Sequence, residues 1–329
     1  MKRLEVAGLV VLIVLAGLVS CQKKAAAPEA GTAKAQDILA LLPSDAQGVL
    51  FIDVHAAMTT EIAKKAIQEN KDYQKYQEFV QMTGLDPQKD IYYAAIAVMS
   101  AGEGMKTEGV GVINMKYDKD NLLGLIKAKA EEEGQPITEE TYENFTVYNV
   151  QQEEEAGSFV FVEGSNVIVG NPGPVKSVLD VLNKKRDNIF KNAQISDLIE
   201  RANKDAMFWG AVLLPPEAME KAAGANPMLS ALKDITAVSM YFDYKQNNVI
   251  GEIMAISTDP ENNKKVADAL AGMKSFAGMA AAEKPEIGEL LNKIEISSGE
   301  DFVKIHAEIP EDLIKKLEAL SAAETQEKQ

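Results

Sequence analysis

The chain has 329 residues, a net charge of −16, 46% apolar residues and a single cysteine, Cys21. That charge repels nucleic acid and anionic membrane faces, which excludes both as partners of the folded body, and one thiol excludes an intrachain disulfide. The length exceeds what one compact core ordinarily contains, so two domains or two fused repeats are expected, held by packing alone.

Met1-Lys2-Arg3 places two cations at the N-terminus, and Val6–Val19 then runs 14 residues without a charge. A helix needs roughly 20 apolar residues to span a bilayer, so residues 1–20 read as a secretory signal rather than a permanent membrane helix. The run closes on Leu18-Val19-Ser20-Cys21. These four residues resemble the lipobox of bacterial lipoproteins. The resemblance implies that Cys21 is acylated, becomes the new N-terminus and attaches the protein to a bacterial membrane. One acyl chain, at about 0.8 kcal/mol per buried CH2, anchors only marginally, whereas the two or three chains of that modification anchor permanently. Gln22, where an Asp would favour retention in the inner membrane, implies the periplasmic face of the outer membrane; the inner membrane and the cell surface are the other destinations. Loss of residues 1–20 removes two cations and one acid and takes the net charge to −17.

Residues 21–36 carry the lipidated cysteine and a tether of Ala, Lys, Gln and Pro without apolar periodicity. A flexible chain of that length reaches on the order of 20 Å. The first α+β repeat is expected over 37–190. It opens with strand 48–54, a helix to about residue 69 and a second helix over 72–82 ending at Gly84. Strands 91–99 and 108–117 follow, joined by a Gly102-Glu103-Gly104 loop, and then a helix over 120–133. Strands 145–150, 158–163 and 166–170 come next, the last two joined across Gly164-Ser165. A helix begins at Asn171-Pro172-Gly173-Pro174, with Val175, Val178, Leu179 and Leu182 on one face.

The second repeat, 191–320, retells this order: strand 207–214, Pro215-Pro216 opening a helix, strands 235–244 and 248–257, and a long helical region over 259–279. The hairpin 293–298/302–308 then leads into a helix carrying Leu313, Leu317 and Leu320. Residues 321–329 read as a disordered tail. Asp118 and Asp259 stand where helix N-caps are needed. Strand 145–150 has no counterpart in the second repeat. The expected fold is α+β: two diverged repeats of a mixed strand–helix unit, mainly antiparallel, with amphipathic helices on one sheet face.

Chemistry-bearing motifs are scarce. Asp53 and His55 share a strand face, but the only other histidine is His306, and no paired ligand motif exists, so no metal, cofactor or catalytic residue is assigned. Glu131–Glu133 and Glu153–Glu155 read as solvated acidic runs. The most unusual stretch is Ala269–Ala282, where Ala271-Gly272-Met273 recurs as Ala277-Gly278-Met279. Its small residues predict a closely packed helix that Gly272→Leu or Gly278→Leu would overpack; the functional alternative is a lid over an apolar groove lined by Met273, Phe276 and Met279.

Leu41-Leu42-Pro43-Ser44-Asp45-Ala46 before the first strand, with Gly84-Leu85-Asp86-Pro87 and Lys89-Asp90-Ile91 before the second, resembles uncharacterised bacterial lipoprotein and secreted-protein families of unknown function. That resemblance implies no activity. The sequence therefore points to a non-enzymatic, membrane-anchored envelope lipoprotein acting as a binding or scaffolding module, its partner an unknown protein or apolar ligand. The alternatives are a carrier or chaperone for a lipid or peptide and a hydrolase without a recognisable motif.

Overall fold

The computed structural model of the chain describes residues 35–70, 73–99, 108–151, 156–162, 165–217, 219–220, 233–281 and 284–327. The signal segment, Cys21, most of the tether, the Gly102–Gly104 loop, Gly164 and Glu153–Glu155 lie outside the described residues. Two units divide the chain between Ala193 and Gln194.

In unit 1, a short helix α1 (Ala35–Leu39) precedes strand β1 (Gly48–Asp53). The Leu41–Ala46 segment between them is structural. Leu42 and Ala46 are buried, Ser44 N–H donates to the Asp187 carbonyl at 3.0 Å, and Arg186 pairs with Asp45 at 2.7 Å. The helix expected after β1 is two helices, α2 (Val54–Thr59) and α3 (Glu61–Glu69), because Thr60 interrupts the first and caps the second, accepting from Ala63 N–H at 3.2 Å.

Helix α4 (Tyr73–Thr83) ends at Gly84, whose φ of +65° is the left-handed conformation a helix C-cap requires. One turn of helix, α5 (Pro87–Asp90), then delivers the chain to β2 (Ile91–Met99), followed by β3 (Glu108–Met115) and α6 (Lys119–Glu132). Strands β4 (Ile137–Tyr142), β5 (Phe145–Gln151), β6 (Ala156–Val162) and β7 (Asn166–Gly170) lead to α7 (Pro172–Leu182). The strand order is β1-β2-β3-β7-β6-β5-β4, with neighbours antiparallel throughout.

Both faces of this sheet are covered, which corrects the expectation of helices on one face. One side carries the cluster of Phe79, Leu85, Ile91, Met115, Leu122, Tyr148 and Phe159, contributed by α4, α6 and the strands. Val112, Ile168 and Val160 are opposed across β3, β7 and β6 on the other side, where α7 packs with Val175, Val178 and Leu179 fully buried.

Helix α8 (Ala193–Arg201) starts at the boundary, and unit 2 continues with β8 (Phe208–Leu213), β9 (Ala237–Lys245), β10 (Asn248–Ile256), α9 (Pro260–Ala280), α10 (Pro285–Asn292), β11 (Ile294–Ser298), β12 (Phe302–Pro310) and α11 (Glu311–Glu327). Helix α11 thus continues through residues 321–327, where composition implied a tail. The strand order is β8-β9-β10-β12-β11, again antiparallel. Set aside β4 and β5, and the strands of unit 1 connect in this same order, with a helix after the third and after the fifth strand in each. The mixed α/β class and the antiparallel sheets are as the sequence led one to expect.

Candidate functional site: an apolar face of unit 2

Residues directly opposed in neighbouring strands share a sheet face, so the pairing register of unit 2 sorts its side chains into rows. One face carries the row Met240–Ile253–Ile305–Ile296 and, beside it, Phe242–Gly251–Ala307–Ile294. Helix α9 packs on this face, over β11 and β12, where Val266, Ala267 and Leu270 meet Val303 and Ile296. It leaves β9 and β10 open. Ile253 is 50% exposed and Phe242 is 43% exposed.

The two halves of α9 have different environments. The first is fixed at several points. Asp259 caps it, accepting from Glu261 and Asn262 N–H at 3.0 and 3.1 Å, and Pro260 occupies the first turn, where no N–H is needed. Asn263 is 1% exposed, and its Nδ2 donates to the carbonyls of Ser257, Gly299 and Glu300 at 3.3, 3.4 and 3.2 Å. The second half runs toward β11 and α10 with its apolar side chains exposed. Met273, Phe276 and Met279 are 48%, 69% and 70% exposed. A methyl added at Gly272 would meet nothing within 4 Å, and one at Gly278 would meet only Leu291 Cδ1 at 3.8 Å. Close packing through these glycines, the structural expectation for this stretch, is therefore not found. Among the described residues, Lys274 Nζ ties this half to the edge strand β11, donating to the Ile294 carbonyl at 2.6 Å.

Unit 2 therefore exposes apolar side chains at two places, Met273, Phe276 and Met279 on α9 and a strip of sheet whose members, Phe242 and Ile253, sequence patterning did not single out. Alternating apolar residues in a strand signal one buried face, and nothing in β9 or β10 records that the covering helix stops short. Of the large apolar side chains left exposed among the described residues, only Met82 lies in unit 1.

The opposite face of unit 2 carries the buried Trp209, Ala211 and Ser239 and, toward β10 and β12, a group of charged side chains. Glu252 is opposed to Tyr241 and His306; His306 Nδ1 lies 3.3 Å and Lys304 Nζ 3.5 Å from its carboxylate. Burial, with Glu252 and Asp243 nearby, raises the Tyr241 phenol above its ordinary range. In unit 1, Asp53 is a helix cap, accepting from Ala56 N–H at 2.8 Å, and His55 stacks on Tyr92 at 5.9 Å. These two side chains form no acid–base pair. Among the described residues no three His, Cys, Asp or Glu side chains converge as metal ligands, and no helix is long and apolar enough to cross a membrane.

The geometry defines a class: a mixed α/β protein of antiparallel sheets with an apolar surface concentrated on one unit. Comparison with protein-family models gives no match, and no curated protein matches. Among solved structures, the chain is similar to TP0453. Against its crystal form I the identity is 11% and the TM-score 0.46, over 84% of this chain and 94% of that one. Crystal form III gives 10% and 0.47 over 84% and 96%, and crystal form IV gives 11% and 0.45 over 85% and 96%. The likeness assigns no function to this chain.

Proposed function

We propose that this is a non-enzymatic lipoprotein of the bacterial envelope, anchored through acylated Cys21, whose second unit binds an apolar partner. The observation that carries the binding role is the exposure of Phe242 and Ile253 on the uncovered strands and of Met273, Phe276 and Met279 on α9, all in unit 2. Soluble proteins rarely leave contiguous apolar surface uncovered unless something is to cover it. The anchor rests on the Leu18–Cys21 lipobox and the charge-free segment before it.

Of the two binding roles open to the sequence, scaffold and carrier, the uncovered strip favours a carrier of a lipid or an apolar peptide. A scaffold built on a dry, closed interface would have placed the Met and Phe side chains inside. Native mass spectrometry of the protein extracted from its own membrane tests the reading. A co-purifying lipid or peptide, lost when Phe276 and Met279 are replaced by Ser, is the expected result. A bare chain, or a ligand indifferent to those replacements, would overturn it.

A further inference from the structure

We propose that the Phe242–Ile253 strip takes one straight hydrocarbon chain, the acyl chain of a lipid, laid across β9 and β10 over Gly251. The proposal rests on the apolar-binding reading and names the class of ligand that this strip admits. Gly251 stands inside β10, opposed to Phe242 on β9 and to Ala307 on β12. A glycine inside a strand weakens it, and marks a bulge, a left-handed residue or something that passes close overhead. The pairing on both sides of Gly251 runs without a register shift, and its φ is not left-handed. Among the described residues nothing passes overhead either. A methyl added at Gly251 would meet only the Tyr241 carbonyl oxygen, at 3.9 Å, so neither Phe242 nor Ala307 reaches into the gap. Gly111 holds the corresponding place on β3, the third strand of unit 1, and there the opposed Ile96 comes within 3.8 Å of such a methyl.

Gly251 and Ala307 make the floor of a slot whose walls on β10 are Ile253 and Val249, each two residues away, or about 7 Å along the strand. The slot is one residue row wide. That suits a single alkyl chain, whereas a helix about 10 Å across does not enter it. At the alternate positions that share this face, 238 to 244 on β9, 249 to 255 on β10 and 303 to 309 on β12, no residue is charged, so the complement is an uncharged chain. An extended peptide would bring N–H and C=O groups onto a face whose own backbone groups are engaged in the strand ladder, and their lost hydration would go uncompensated. A hydrocarbon chain carries no such groups.

Calorimetric titration of the full chain with 1-decanol and with menthol, a straight and a ring-shaped ten-carbon alcohol, tests this beside Gly251→Ala and Gly251→Val. Both variants should melt no lower than wild type, because the added carbons enter open space and valine favours a strand. Gly251→Val should weaken 1-decanol at least about tenfold and Gly251→Ala about threefold, while menthol changes by less than about twofold. A lower melting point in both variants would show that the space is filled; should valine alone lower it, the alanine variant decides. Decanol affinity indifferent to the substitutions, menthol weakened as much as decanol, or no binding of decanol to the wild type would each overturn the proposal. Nile red fluorescence on the same samples separates the two readings. Dye that fluoresces on the wild type alongside any of those results ends the slot and leaves the apolar-binding reading standing. Neither dye nor alcohol bound would end both.

Discussion

Aspartates do much of the local work at single positions in this chain. Asp53, Asp118 and Asp259 each accept from backbone N–H groups at the start of a helix, where a negative charge also meets the positive end of the helix dipole. Asp86 does more. It accepts from Gln88 N–H at 3.0 Å and Tyr76 Oη at 2.7 Å, and it pairs with Lys89. Burial acts to raise its carboxyl, but the hydrogen bonds from Lys89, Tyr76 and Gln88 outweigh it, and the net direction is down. Burial, together with the same carboxylate, pushes the Tyr76 phenol well above its usual range. Because the Asp86 value is depressed on folding, its contribution is present above the unfolded-state value of about 3.9 and is lost as pH falls through the folded one. Asp86→Ala should therefore lower stability at pH 7 by about 1 kcal/mol or more. The gap from wild type should narrow in urea titrations as pH is lowered below the ordinary Asp value and the folded carboxyl becomes protonated. A gap that stays constant with pH would show that the carboxylate charge is not what stabilises this turn.

At the scale of elements, α9 depends on the Asn263 side chain, a buried amide joining three carbonyls from two loops. Asn263→Ala leaves those carbonyls short of a donor at a cost of about 1–3 kcal/mol. By contrast, Phe276→Ser and Met279→Ser, on the exposed side, should stay within about 0.5 kcal/mol of wild type. Thermal melts of the three variants check that ordering; equal losses would mean that α9 is fixed along its whole length. The strands β1, β2, β3, β9, β10 and β12 were legible because their apolar runs are bounded by turns and caps. Strand β4 was missed. Ile137–Tyr142 is an edge strand of mostly exposed residues, so it shows no apolar alternation. Its Glu139 and Glu140 pair with Lys127 and Lys176 at 2.6 and 2.8 Å, charges that also discourage pairing with another chain's edge. The Ala271–Met279 stretch was legible as unusual but not as exposed. A glycine records that the side chain is small, and that is compatible with a close neighbour or with none. Only the place where α9 ends its contact with the sheet decides between them, and that is set by tertiary packing.

For the molecule as a whole, the shared five-strand order leads us to expect that residues 158–183 superpose on 293–320 with both following helices on equivalent sheet faces. Opposite faces would make the resemblance one of connectivity alone. The proposed anchor is tested at Cys21. Cys21→Ala should abolish incorporation of a fatty-acid analogue and leave an unprocessed precursor whose body folds normally; equal labelling of wild type and variant would refute the lipoprotein reading. The central claim, that unit 2 offers an apolar binding surface, is tested most directly by titrating the full chain with Nile red beside a Met273→Ser, Phe276→Ser, Met279→Ser variant of unchanged thermal stability. Saturable fluorescence enhancement in the wild type, weakened at least about tenfold in affinity by the three replacements, is the predicted result. Identical titration curves for the two proteins would contradict it.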